Sequence, residues 1–216
     1  VAPLYPLEKS RDKSQRVPAE LRWDERGEVR QAAIEIELRG NYRLKKSVCR
    51  HPPLRLLLDA GPNRNNLFAK QKRLKLVTQC RPGKTYLDYL RQEYLIYKAF
   101  ALLTPTHFRV RWVDITYLDG ESTSVRPGFL IEQKRNVAKR LQLEAVDKHR
   151  IDYTQLDPMQ ALLTDLFQYM VGNVDYSILK GEADEDCCHN SKLLQPGNAP
   201  PYYPIPYDFD HAGLVN

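Results

Sequence analysis

Residues 33–39 alternate cleanly: Ile34, Ile36 and Leu38 fall on one side, Glu35 and Glu37 on the other. A period of two marks a half-buried strand, so this stretch commits the chain to a sheet with one apolar face. Two further strands are expected nearby. One is the apolar run 54–58 behind Pro52-Pro53, and the other is residues 72–78, with turn residues over 61–66 between them. In the third strand Leu74, Leu76 and Thr78 alternate with Arg73, Lys75 and Val77, which puts Lys75 on the face opposite Leu74 and Leu76.

A helix is expected over 85–103. Leu87, Leu90, Tyr94, Tyr97 and Ala101 recur at helical spacing as one apolar stripe, and Pro105 ends it. Glu93 stands at the edge of that stripe, where it can point toward a sheet. Residues 107–118 form a long strand, Asp119-Gly120 turns the chain, and 125–132 return it as a hairpin. Residues 31–133 thus read as an antiparallel lobe of five strands with one helix. Residues 1–30, with Pro3, Pro6 and Pro18 and little periodicity, read as an extended arm.

After Glu132 the character changes. Residues 136–146 are expected to be helical with a basic outer face. Asp157-Pro158 starts a second helix, Asp as cap and Pro at the first helical position. Met159, Leu162, Leu163, Leu166, Phe167 and Met170 are expected to bury one side of it, and Gly172 to end it. Residues 134–216 then form a short helical lobe carrying loops, and the whole is of α+β class.

Those loops concentrate acids and amides in Asn173-Val174-Asp175, His189-Asn190 and Asp208-Phe209-Asp210. Carboxylates and an Asn arriving from separate loops can surround a hard cation, which takes oxygen ligands, and leave one carboxylate to accept a proton. That combination suits phosphoryl transfer, where catalysis is mostly positioning and charge neutralisation. Asp175, Asn190 and Asp208 are therefore expected to converge on one cleft between the sheet lobe and the helical part.

With 216 residues, 42% of them hydrophobic, the chain is long enough to bury a real core. Its formal charge of +6 permits nucleotides, nucleic acid or phosphorylated surfaces as partners and selects none of them. The tract Arg43, Lys45, Lys46 and Arg50 reads first as a solvated face and second as a phosphate contact. No apolar run is long enough for a transmembrane helix. Of the four cysteines, Cys49 and Cys80 flank strands and can meet across a sheet. The vicinal Cys187 and Cys188 are expected to bond elsewhere or stay reduced rather than close on each other. An exported location is placed ahead of a cytoplasmic one.

Three strands, a helix bearing Glu, two strands and then helices with late acidic loops form the layout of a protein-kinase-like fold. Arg39-Gly40-Asn41, the Lys-bearing strand LKLV, the hairpin ending FLIEQ, then N-x-D, a later Asn and YDFD resemble the spore-coat CotH-type atypical kinase family. The resemblance covers about residues 33 to 213. It implies ATP and Mg²⁺ or Mn²⁺ as cofactors and an unidentified hydroxyl as phosphoacceptor. It implies Asp175 as the base that accepts the hydroxyl proton, with Asn190 and Asp208 as metal ligands. Asp210, where such kinases carry Gly, would be a further ligand. Lys75 would hold phosphate, paired with Glu93, and Glu132 would end the strand leading to the segment where adenine docks. This chain departs from ordinary kinases in lacking a G-x-G-x-x-G loop, and in an acidic insert over 182–186 that separates Asp175 from Asn190.

Three other readings compete. Asp114 with Glu132-Gln133-Lys134 resembles the D…E-x-K metal site of a nuclease. Cys187, Cys188 and His189 are zinc-ligand types, although adjacent cysteines fit two corners of a tetrahedron poorly. The last is a non-catalytic nucleotide-binding or interaction module.

Overall fold

The computed structural model describes residues 4–58, 67–68, 71–119, 121–183 and 186–216. The expected turn over 61–66, Gly120 of the hairpin turn, and residues 184–185 of the acidic insert lie outside them. The fold is α+β and divides into two compact units, Val1–Leu87 with Arg111–Ile131, and Asp88–Val110 with Glu132–Asn216.

The first unit is built on a six-stranded antiparallel sheet. Its strands are β1 (Arg16–Glu25), β2 (Glu28–Leu38), β3 (Leu54–Leu58), β4 (Arg73–Thr78), β5 (Val110–Asp119) and β6 (Ser122–Ile131), in the order β1-β2-β3-β4-β6-β5. The expectation of five strands is corrected by β1. It lies in the stretch read as an arm and pairs with β2 from Arg16 opposite Glu37 to Glu25 opposite Glu28. Arg26 and Gly27, with φ of 60° and 82°, form the tight turn between them, as two-residue hairpins require. Helix α1 (Leu4–Ser10) occupies another part of the same stretch.

Alternation places the core as expected. Ile34, Ile36, Leu38, Leu54, Leu56 and Leu74 are buried in one cluster with Leu4 and Leu7 of α1. Each such side chain contributes about 1.5–3 kcal/mol by leaving water. The opposite face carries a cross-strand row of charge, Arg16, Glu37, Arg55 and Lys75. Glu37 is buried and accepts from Arg16 Nε at 3.2 Å and from Arg55 Nη1. Lys75, on the interior strand β4, is half-buried and stands opposite Arg55 on one side and Ile131 on the other. Cys49 and Cys80 are joined by a disulfide in this unit.

The second unit contains most of α2 (Lys84–Phe100), then α3 (Lys134–Leu141), β7 (Glu144–Val146), α4 (Pro158–Met170), β8 (Ser191–Gln195) and β9 (Tyr203–Pro206). The three strands form an antiparallel sheet, β7-β8-β9. The helix expected to run to residue 146 stops at Leu141. Gln142 takes left-handed geometry, its N–H bonds the carbonyls of Ala138 and Lys139, and residues 144–146 pair with β8 instead.

Helix α4 begins as its sequence dictates. Asp157 caps it, accepting from Gln160 N at 2.8 Å, with Pro158 at the first turn. Its facing is only partly the expected one: Phe167 is buried and Leu163 half-buried, but Met159 (74%), Leu162, Leu166 and Met170 are exposed, and Gln160, Ala161, Thr164 and Gln168 are buried in their stead. The polar side chains face inward because they find partners there. Gln160 Nε2 and Thr164 Oγ1 both donate to the Pro204 carbonyl of β9 at 3.1 Å.

Cys187 and Cys188 are bonded to each other, which corrects the expectation that they would pair elsewhere. Both are buried, in one cluster with Val146, Ile151 and Leu193, and the other two cysteines are already joined in the first unit. No helix among the described residues is long and apolar enough to cross a membrane.

Candidate functional site

The second unit gathers three of the expected residues at one end of the β8–β9 hairpin. Ser191 opens β8 opposite Pro206, the last residue of β9. Asn190, just before Ser191, accepts the Tyr207 N–H on its carbonyl at 3.0 Å, and Asp208 is the next residue. Strand register alone therefore holds Asn190 and Asp208 near each other.

Asp175 arrives from α4. Gly172, with φ +65°, breaks the helix, and Asn173 turns inward at 2% exposure. Asn173 Nδ2 donates to Gln168 Oε1 at 3.0 Å, and its Oδ1 accepts the Asp175 N–H at 3.0 Å. The segment Ala212–Leu214 clamps the same helix end, since Gly213 N donates to the Gly172 carbonyl and Leu214 N to that of Val171. A buried amide pair and a clamped glycine thus fix the backbone that presents Asp175.

The Asp175 carboxylate meets both members of His189-Asn190. His189 Nε2 lies 2.8 Å from Oδ1, and Asn190 Nδ2 donates to Oδ2 at 3.0 Å and to the Asp175 carbonyl at 2.6 Å. His189 Nδ1 lies 3.3 Å from Glu182, which belongs to the acidic insert. The Asp175 side chain keeps 45% of its surface exposed, so it can meet a substrate.

Asp208 is anchored on both sides. Tyr207 packs its ring on Phe108 at 5.4 Å, and Phe209, fully buried, packs on Tyr97 at 4.8 Å and Phe167 at 6.2 Å. The Asp208 N–H donates to the Tyr97 hydroxyl at 2.9 Å. Tyr97 reaches it from α2, one turn beyond Glu93, which is 2% exposed on the same helix. Burial, then the neighbouring Tyr207, Glu93 and Asp208, hold the Tyr97 hydroxyl well above the usual tyrosine range. It therefore stays neutral. The stripe reading took Tyr97 as apolar filling. Its hydroxyl acts on an amide more than a hundred residues away, which no local spacing can signal.

The residue types are those a hard cation takes: Asn190 turns its Nδ2 to Asp175, which leaves Oδ1 as its acceptor, and Asp208 and Asp210 are the acids of the segment that follows β9. The Asp210 carbonyl accepts from Asn216 Nδ2 at 2.8 Å. Among the described residues no group of three His, Cys, Asp or Glu side chains could hold a metal, so an ion here would rest on two carboxylates and a carboxamide. The disulfide removes Cys187 and Cys188 as thiolate ligands for zinc.

Neither models of known protein families nor curated proteins match this chain.

Of the other expected residues, Lys75 belongs to the first unit and Glu93 to the second. Glu132 follows β6, and its N–H donates to the Arg109 carbonyl at 2.9 Å. Its carboxylate accepts from Arg109 N and from Arg140, both at 3.1 Å. Lys134 donates to the Val146 carbonyl and pairs with Asp147. Two of the three nuclease-type residues are thus engaged in contacts that hold α3 and β7.

Proposed function

We propose that this chain is an ATP- and divalent-metal-dependent phosphotransferase of atypical kinase type, with a kinase-like fold, acting on a hydroxyl of a protein or small molecule. The observation that carries the reading is the meeting of Asp175, Asn190 and Asp208 at one end of the β8–β9 hairpin, with Asp175 exposed. The lysine on an interior strand of an antiparallel sheet accords with it.

In this reading Asp175 accepts the proton of the acceptor hydroxyl. The hydroxyl oxygen forms a bond to the γ-phosphorus of ATP, the bond to the ADP leaving oxygen breaks, and the proton ends on Asp175. Asn190 and Asp208, with Asp210, would hold Mg²⁺ or Mn²⁺, which would supply neutralisation of charge on the phosphates. Asn190 Nδ2 also orients Asp175, so one side chain serves metal and base together. Lys75 is assigned to the phosphates and Glu132 to the approach of the adenine segment by the family resemblance.

A thermal-shift titration with ATP, with and without Mg²⁺ or Mn²⁺, tests the reading, since binding stabilises the native state by mass action. Asp208→Ala should abolish metal-dependent nucleotide binding. Asp175→Asn should spare binding and abolish transfer. A wild-type chain that ATP and metal do not stabilise overturns the proposal.

A further inference from the structure

We propose that Tyr97 is the positioning residue of the metal site: its hydroxyl, reaching from α2, fixes the backbone amide of Asp208 and so sets where the Asp208 carboxylate stands. The inference rests on the phosphotransferase reading above, in which Asp208 is a metal ligand.

Asp208 has φ +60°, a left-handed backbone that non-glycine residues hold only where their surroundings enforce it. What enforces it can be named. Before it, Tyr207 N is tied to the Asn190 carbonyl; after it, the Phe209 ring is wedged between Tyr97 and Phe167. At the residue itself, the amide that this conformation turns away from the β9 ladder is received by the Tyr97 hydroxyl. A tyrosine that only filled space would need no oxygen there. This one is 3% exposed, with its hydroxyl directed at the amide of a candidate ligand.

The test is Tyr97→Phe, which keeps the ring packed on Phe209 and removes only the oxygen. Mn²⁺ is titrated into the full chain at saturating ATP, and ATP is titrated separately without metal. Loss of an outer-shell partner typically weakens a metal site tenfold to a hundredfold. We therefore expect Mn²⁺ affinity to fall by about that factor, while metal-free ATP affinity stays within about twofold of wild type and the variant stays folded, its melting temperature lowered only by the one lost hydrogen bond. Unchanged Mn²⁺ affinity in a variant of a wild type that does bind Mn²⁺ and ATP overturns the inference and leaves the phosphotransferase reading standing. A parallel loss of metal-free ATP binding, or a variant that fails to fold, also overturns it, since the hydroxyl is then structural. A wild type with no Mn²⁺-dependent ATP binding overturns the reading and the inference together.

Discussion

His189 holds its Nε2 2.8 Å from a carboxylate oxygen of Asp175. With Asn190 on the other oxygen, the carboxylate is gripped from both ends by consecutive residues. In the proposed reaction a base so held loses its orientation when the ring is removed. His189→Ala should lower kcat for phosphoryl transfer by about tenfold or more while ATP affinity is kept. Asp175 is nearly half exposed, so stability should change by less than about 1 kcal/mol. A variant that turns over at the wild-type rate would remove His189 from the site.

Gly172 separates α4 from Asn173 at φ +65°. A Cβ built there would come 3.3 Å from the Cα of Gly213 and 3.4 Å from its nitrogen. Gly172→Ala therefore meets both a left-handed backbone penalty and a backbone neighbour. Urea denaturation should show a loss of about 2 kcal/mol, and an unchanged midpoint would contradict this account of the helix end.

Arg140 is the tie behind Glu132. Its guanidinium reaches both carboxylate oxygens, at 3.3 and 3.1 Å, and the carbonyls of Pro105 and His107 at 3.1 and 2.7 Å. Both side chains are largely buried, at 17% and 12% exposure. Arg140→Ala leaves a carboxylate and two carbonyls short of a donor and should cost about 3 kcal/mol. Arg140→Lys should recover only part of it, because an ammonium cannot present the planar fork. Full recovery with Lys in chemical denaturation would argue for charge alone.

Glu8 of α1 faces His51, Arg126, Arg11 and Tyr117. Burial pushes its carboxyl up, but hydrogen bonding and charge from His51 and Arg126 more than offset this and leave it below the ordinary 4.5. The unfolded chain then binds more protons in the acid range, so stability rises with pH. The contribution is complete above about 4.5 and is lost as pH falls through the lower folded value. Glu8→Gln should be less stable than wild type near about pH 6, with the gap closing toward about pH 3. A gap that stays constant over that range would show that the Glu8 charge is not what stabilises α1.

The strands from β2 to β6 were legible for different reasons: β2 and β4 from alternation of apolar and charged residues, β3 from an apolar run behind Pro52-Pro53, and β5 and β6 from the Asp119-Gly120 turn signal between two strand-like runs. β1 was not, since among its ten residues only Val17 is fully buried and the rest of its pattern is mixed. Its place comes from hydrogen bonds to β2, which sequence periodicity does not encode. The boundaries of α4 were readable from Asp157, Pro158 and Gly172, but its facing was not. Periodicity ranks side chains by hydropathy, whereas packing set Gln160, Thr164 and Gln168 inward against the Pro204 carbonyl and Asn173. Asp175, Asn190 and Asp208 could be picked out by type and flanking turns. His189 was noted beside Asn190 and as a zinc-ligand type but given no part in holding Asp175, and the loop that brings it there contains a disulfide that the cysteine spacing did not suggest.

The pairing of Ser191 with Pro206 has a practical corollary. The relative placement of Asn190 and Asp208 is dictated at the foot of the hairpin, while the exposed Pro196–Pro200 stretch at its far end takes no part in the ladder. Length at that tip is decoupled from geometry at the foot. A fluorescent reporter or affinity handle spliced between Gly197 and Asn198 would leave the strand register intact. The tip is thus the attachment point from which this chain can be watched without disturbing the carboxylates it presents.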